Sequence, residues 1–292
     1  MKKVLLLGAS GMLGSAVYNV LKDKYSLVLS FRNLEDANLL DKAYGGVDNH
    51  QKVEFDLEHV YQDYLSKKGN PGEYFNKFLN EIGEVDYVIN AIGITIPFSL
   101  KNPALTFFIN SAFPFILSGA FGSKLIHITT DCAFDGQKNY PYDEESVKTP
   151  FDIYGFSKAI GEPTDCLTLR TSIIGRELKG FTGLLEWFLK QKGETINGFT
   201  NHFWNGVTTK EFGKICDRIM DNREEFPETG IYHVFSNTVS KYEMVTKFKE
   251  KYNIDCNIMS DDIPRLNRTL STKYPMCQKL NIPSLDKMLE EL

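Results

Sequence analysis

The residue types that could do chemistry gather between Ile126 and Glu162. An apolar segment, Lys124 to Thr130, ends in two hydroxyls and an acid, Thr129-Thr130-Asp131, and Tyr154-Gly-Phe-Ser-Lys158 follows downstream. If that second piece is helical, Tyr154 and Lys158 share one face, with Cβ atoms about 5–6 Å apart. An ammonium so near a phenol favours the phenolate and lowers a pKa that is ordinarily about 10. Tyr154 then becomes a usable acid near neutral pH. A hydroxyl at the strand end, from Thr129 or Thr130, can hold the oxygen that receives the proton. Tyr-x-x-x-Lys recurs by chance in many chains, so it carries weight only if a dinucleotide site lies upstream.

Such a site is legible. Lys3 to Leu7 is continuously apolar, as in a strand buried on both faces. Gly8-Ala9-Ser10-Gly11-Met12-Leu13-Gly14 follows, and then a helical pattern through Leu21. Glycines between a strand and a helix let the backbone approach a pyrophosphate, whose charge sits at the helix N-terminus. The second strand, Ser26 to Phe31, is followed by Arg32 where an acid would mark NAD. Arg32 suits a 2′-phosphate, so NADP(H) is preferred and NAD(H) is the second option. Val53 to Leu57 reads as the third strand, with Asp56 placed to accept from an adenine amino group. Asp86 to Gly93 reads as the fourth, where Ala91, Ile92 and Gly93 leave room for a cofactor.

The remaining elements must position these groups. A turn is expected at Gly69 to Gly72, and a helix from Asn102-Pro103 to about Phe121, with Asn110 as a polar amide in its apolar pattern. Strands at Lys124–Thr130 and Leu167–Ile173 continue the alternation. Strand alternating with helix means α/β with a Rossmann-like, doubly wound parallel sheet. Residues 1–170 are expected to form the dinucleotide domain and 171–292 a smaller C-terminal α/β substrate lobe, with elements over about 205–237 returning to the main sheet. The ligand crevice then lies at the carboxyl ends of the strands.

Composition narrows the class. Of 292 residues, 42% are hydrophobic and 24% charged, as in a globular chain, and the net charge of −5 argues against nucleic acid as a partner. The N-terminal apolar run is too short for a signal peptide. Phe107 to Gly122 is broken by polar residues and Pro114, so no membrane span and a cytoplasmic setting are expected. The five cysteines lack CxxC spacing and the five histidines show no ligand pairing, so reduced thiols and no metal are expected.

With these residues together, the chain resembles the extended short-chain dehydrogenases/reductases, most of all the dTDP-4-dehydrorhamnose reductase family of nucleotide-sugar reductases. The resemblance is carried by GASGMLG (8–14), Asp56-Leu57, NAIG (90–93), TTDCAFDG (129–136) and P-x-x-x-Y-G-x-S-K-x-x-G-E (150–162). Beyond residue 175 it is weaker, in GVTT (206–209) and GIYHVFSN (230–237). It implies a catalytic set of Thr130, Tyr154 and Lys158, favours Thr130 over Thr129, and makes Asn110 a relay residue. It implies reduction of a 4-keto-6-deoxy nucleotide sugar for deoxysugar or surface-polysaccharide synthesis, and a homodimer by analogy. Asp131, Cys132, Asn205 and Arg268 are the further substrate candidates, Arg268 as a pyrophosphate ligand.

Position 132 departs from that family, whose members usually carry Tyr there. GDP-fucose synthases place a Cys at this offset and use it for epimerisation, so a bifunctional epimerase–reductase is the alternative. The second epimerase residue would be a His near 182, where this chain has Phe181-Thr182-Gly183. A small thiol that shapes the pocket is the plainer assignment for Cys132. A non-catalytic regulatory subunit that keeps the cofactor site, as in methionine adenosyltransferase, is the third option.

Overall fold

The short apolar segments form one seven-stranded, wholly parallel sheet in the computed structural model, which describes residues 1–66, 72–138 and 140–292. Its strands are β1 (Lys3–Leu7), β2 (Ser26–Phe31), β3 (Gln51–Glu54), β4 (Tyr87–Asn90), β5 (Leu125–Thr130), β6 (Leu167–Thr171) and β7 (Gly230–His233). They lie in the order β3-β2-β1-β4-β5-β6-β7. The chain reverses its winding between β1 and β4, which opens a crevice outside the carboxyl ends of the strands.

The run in β1 is apolar throughout because both faces are covered. Strand alternation sends Val4 and Leu6 into one core and Leu5 and Leu7 into the other. Four helices bear on the site: α1 (Met12–Leu21), α2 (Ile153–Ile160), α3 (Thr209–Asp221) and α4 (Lys241–Tyr252). α3 packs tightly on α1, where a Cβ at Gly213 would lie 3.2 Å from the Val17 Cα.

The strand expected over 53–57 ends earlier, at Glu54. The Asp56 carboxylate accepts from the Glu58 N–H and caps the helix Leu57–Leu65, so Asp56 and Leu57 leave the sheet. Of the turn expected at Gly69 to Gly72, only Gly72 lies within the described residues, with a left-handed φ of 87°. The apolar segment expected to fall short of a membrane span forms a helix over Pro103–Lys124, 22 residues long and apolar enough by composition to cross one. Half of its apolar window is buried inside the protein. Its side chains Leu105, Ile109, Phe113 and Leu117 fill the core beneath the sheet.

After residue 171 the chain builds a second layer of short strands. Thr195–Phe199 pairs with Asn257–Asp261, and His202–Trp204 is flanked by Val239–Ser240 and Leu266–Asn267. β7 joins the main sheet beside β6, while the segment after it returns to this outer layer. The outer layer thus hangs over the carboxyl end of β5.

Candidate active site

Backbone geometry dictates the glycine loop after β1. Gly8 has φ of 79°, a conformation that favours glycine, and its N–H donates to Ser30 Oγ at 3.0 Å. A Cβ at Gly14 would sit 2.1 Å from the Gly8 carbonyl oxygen, so no side chain fits there. α1 begins at Met12 with Gly11 as its N-cap, and no side chain caps it. The first N–H groups of a helix have no intrahelical acceptor. The loop is therefore a backbone cradle of the kind a diphosphate fills, with Ser10 to Gly14 as its wall. Ala91, Ile92 and Gly93 run past it from β4, and a Cβ at Gly8 would touch Ile92 Cγ1 at 3.0 Å.

At the far end of this cradle Arg32 is already paired. Its Nε lies 3.3 Å from Asp56 Oδ1 and its Nη2 3.5 Å from Glu58. A second acid, Asp36, accepts from Ser10 Oγ at 3.3 Å and pairs with Lys179 of the outer layer. The loop of glycines and these polar groups fit an adenine dinucleotide. Asp36 and Lys179 carry no motif that sequence could flag.

Thr129 and Thr130 point to opposite sides of β5. Thr129 Oγ1 donates to the Lys158 carbonyl, at 3.4 Å, and braces α2. Thr130 faces the site: its Oγ1 donates to Asp131 Oδ1 at 3.1 Å and accepts from the Cys132 N–H at 3.2 Å. Of the two hydroxyls, it is that of Thr130 that acts on the Tyr154 phenol.

Asn110 lies in a π-helical turn, Phe108–Ala112, a distortion often found at functional sites. Its amide accepts from Ile94 N–H at 2.9 Å, donates to Ile94 O at 2.9 Å and donates to Ser157 Oγ at 3.0 Å. This ties the segment after β4 to α2. Gly161 permits it, since a Cβ there would lie 1.8 Å from the Asn110 carbonyl oxygen.

Tyr154 and Lys158 fall on one helix as the spacing requires, but their electrostatics differ from expectation. Burial pushes the Tyr154 phenol upward, with Cys132 adding to the rise and the Thr130 hydroxyl opposing it. The Lys158 ammonium donates instead to the Ile128 carbonyl at 2.9 Å, and burial lowers its pKa to about 8. Shielding of the phenol from water opposes its ionisation more than an ammonium already committed to a carbonyl promotes it.

Across from this set stands a second polar group. Arg268 Nη1 donates to Cys132 Sγ at 3.3 Å, and the guanidinium stacks on Phe151 at 4.7 Å. Burial first, then the Asp131 charge, pushes the Cys132 thiol up to about 12, so it is a thiol at neutral pH. Burial also raises Asp131, against the pull of Arg268 and Lys241. The Asn205 amide exchanges hydrogen bonds of 2.8 and 2.9 Å with the Leu270 backbone and so braces the segment that follows Arg268.

Residues 84–278 match the family described as the RmlD substrate binding domain. The spore coat polysaccharide biosynthesis protein SpsK of Bacillus subtilis is 25% identical over 269 residues, covering 89% of this chain and 83% of its own length. Methionine adenosyltransferase 2 subunit beta of Xenopus tropicalis is 24% identical, covering 87% of this chain and 73% of its own. A dTDP-4-dehydrorhamnose reductase from Bacillus anthracis, solved in complex with NADP, superposes with a TM-score of 0.71 at 18% identity, covering 99% of this chain and 98% of its own. That likeness extends the Rossmann-like fold over both layers of the chain.

Proposed function

The chain belongs to the RmlD substrate-binding-domain family, and from that premise we propose that it is an NAD(P)H-dependent reductase of a keto group on a nucleotide sugar. The observation that supports the proposal is that Thr130, at the end of β5, and Tyr154 and Lys158, on one face of α2, stand between a backbone diphosphate cradle and a polar pocket. The finer expectation is a 4-keto-6-deoxy sugar, as in dTDP-4-dehydrorhamnose reduction, serving polysaccharide synthesis in the cytoplasm. NADP(H) is the preferred cofactor. A 2′-phosphate would take over part of the Arg32 guanidinium that Asp56 and Glu58 now share.

Residues 8–14 would hold the diphosphate, and Ala91 to Gly93, with Asn110 behind them, would line the path to the nicotinamide. When bound, the nicotinamide supplies the hydride for the carbonyl carbon. Thr130 Oγ1 donates to the carbonyl oxygen and fixes it beside the phenol. Tyr154 gives its proton to that oxygen as charge develops on it. A phenol whose pKa is raised stays protonated before the reaction, as a general acid must. The Lys158 ammonium, one helical turn away, favours the phenolate that forms. Arg268 and Asp131 face the sugar.

The test mixes the full-length protein with NADPH or NADH and a panel of 4-keto-6-deoxy nucleotide sugars, and follows loss of the reduced nicotinamide absorbance. Wild type should turn over, and Tyr154→Phe should lose about 10²–10⁴-fold, the usual worth of a positioned acid. The similarity to methionine adenosyltransferase 2 subunit beta favours a second reading, a dinucleotide-binding regulatory subunit. Tight NADPH binding with no oxidation on any sugar would favour it. Equal turnover by Tyr154→Phe would sink the assigned acid.

A further inference from the structure

His127 is a fully buried histidine that the proposed reaction does not use. It lies within β5, and the buried Asn90 at the end of β4 stands beside it. Their hydrogen bonds fix the ring. Asn90 Oδ1 accepts from the Ile92 N–H at 3.1 Å, so the amide nitrogen is the atom that faces His127 Nδ1, also at 3.1 Å. Nδ1 therefore accepts, and the ring proton stands on Nε2, which donates to the Gly161 carbonyl at 3.0 Å. Burial first, and then the Lys158 charge, keep the ring neutral.

Both ends of this chain of bonds touch the candidate site. On one side, Ile92 belongs to the segment that runs past the glycine cradle, where a Cβ at Gly8 would meet Ile92 Cγ1 at 3.0 Å. On the other, Gly161 closes α2 just beyond Lys158. The last carbonyls of a helix have no intrahelical donor. Here the Lys158 carbonyl accepts from Thr129, that of Ala159 from Lys148 at 2.6 Å, and that of Gly161 from His127. Thr129 and His127, two residues apart on one face of β5, thus hold the helix that carries Tyr154 and Lys158. A neutral imidazole accepts at one nitrogen and donates at the other, so one ring serves both ends. Asn110 joins the same two segments through Ile94 and Ser157, whereas His127 joins them from within the sheet.

We propose that His127 is a positioning residue that sets the nicotinamide path against the Tyr154 helix, its Nδ1 side governing cofactor binding and its Nε2 side the chemical step. The inference rests on the reductase reading. Through Asn90, the ring holds the Ile92 N–H and with it the wall of the cofactor path. Through Gly161, it holds the end of α2 and with it the height of the phenol over that path.

The experiment separates the two bonds. His127→Asn places an amide oxygen near the position of Nδ1 and falls short of Gly161. His127→Gln places an amide nitrogen near that of Nε2 and leaves the Asn90 amide without its acceptor. NADPH oxidation by the full chain on 4-keto-6-deoxy nucleotide sugars gives kcat, and calorimetric titration gives the NADPH affinity. A neutral hydrogen bond is worth roughly threefold to tenfold. His127→Gln should weaken NADPH binding by that factor with kcat held, and His127→Asn should lower kcat by it with NADPH affinity held. Asn90→Ala removes both bonds of the Asn90 amide and should repeat the result of His127→Gln, and it replaces that variant if the latter does not fold. A fall in melting temperature alone, with kcat and affinity at wild-type values, would overturn the proposal and leave the reductase reading standing. Equal loss of both quantities in both variants would do the same. If wild type binds NADPH but oxidises it on no sugar, the reductase reading falls, and unchanged NADPH affinity in His127→Gln and Asn90→Ala would then overturn this proposal as well.

Discussion

Burial governs Tyr154 more than its lysine neighbour does. The phenol is raised by desolvation first, and Lys158 spends its ammonium on the Ile128 carbonyl. The division of labour follows from the two protonation states. Tyr154 must hold its proton until charge appears on the substrate oxygen, and Lys158 must be charged when that happens. Because burial lowers Lys158 to about 8, its ammonium is lost as pH rises through that value, while the phenol is still protonated. We therefore expect kcat/KM, measured from pH 6 to 10, to fall on the alkaline side with a midpoint near 8. In Lys158→Met that limb should vanish and the rate be low at every pH. A midpoint unchanged in Lys158→Met would assign the limb to another group. Cys132 follows the same logic. A thiol raised to about 12 does not supply a thiolate for epimerisation at neutral pH, which favours its role as a small wall of the pocket that accepts from Arg268.

Among the elements, the π-helical turn at Phe108–Ala112 carries Asn110, whose amide meets Ile94 and Ser157 at once, so one side chain holds the segment after β4 against α2. Gly161 and Gly155 let the backbones meet there, since a Cβ at Gly155 would lie 2.5 Å from the Cys132 carbonyl. Replacing Asn110 by Leu removes three hydrogen bonds and strands the half-buried Ile94 N–H and carbonyl. Urea unfolding should show a loss of about 1–3 kcal/mol or more, the usual penalty for buried unpaired groups. Turnover should fall with it, because Gly93 and Lys158 are spaced by this contact. Full stability with lost turnover would instead mark Asn110 as a participant in proton transfer.

On the scale of the whole molecule, one buried ion network joins the layers. Glu162, just beyond α2, accepts from Arg170 of β6 at 3.0 and 2.7 Å and from Lys148 at 3.0 Å. Arg170 also reaches His233 of β7 at 2.6 Å, and His233 contacts the Ser271 carbonyl of the outer layer at 2.7 Å. Burial opposes ionisation of Glu162, but Arg170 and Lys148 hold it below the usual carboxylate range. Glu162→Gln leaves the Arg170 guanidinium buried without its counter-charge. Breaking such a pair from one side costs about 3–5 kcal/mol, so a marked drop in melting temperature is expected. A melting temperature within a degree of wild type would show that Arg170 finds another partner. The outer layer also reaches the dinucleotide cradle through Lys179 and Asp36, so both ends of the crevice are bridged by side chains from distant parts of the sequence.

Local order carried the sheet and the core of the site. A five-residue apolar run, three glycines in seven residues, and Tyr and Lys four apart are short-range patterns, and each is fixed by one turn or one helix face. They determined the parallel sheet, the cradle at 8–14 and the face shared by Tyr154 and Lys158. The strand expected over 53–57 was drawn too long, because a strand-end acid and a helix cap look alike until the next residues turn. Other features depended on segments that meet only after folding. The orientation of Thr130 over Thr129 was set by how β5 sits against α2, and the electrostatics of Tyr154 by how much water the second layer excludes. The bracing of Leu270 by Asn205 joins residues 65 apart in the chain. Arg268 lies 136 residues from Cys132 in the chain, and no spacing relates them. Only the docking of the outer layer over β5 brings that charge to the pocket, because electrostatics depends on distance in space and on burial, neither of which is written along the sequence.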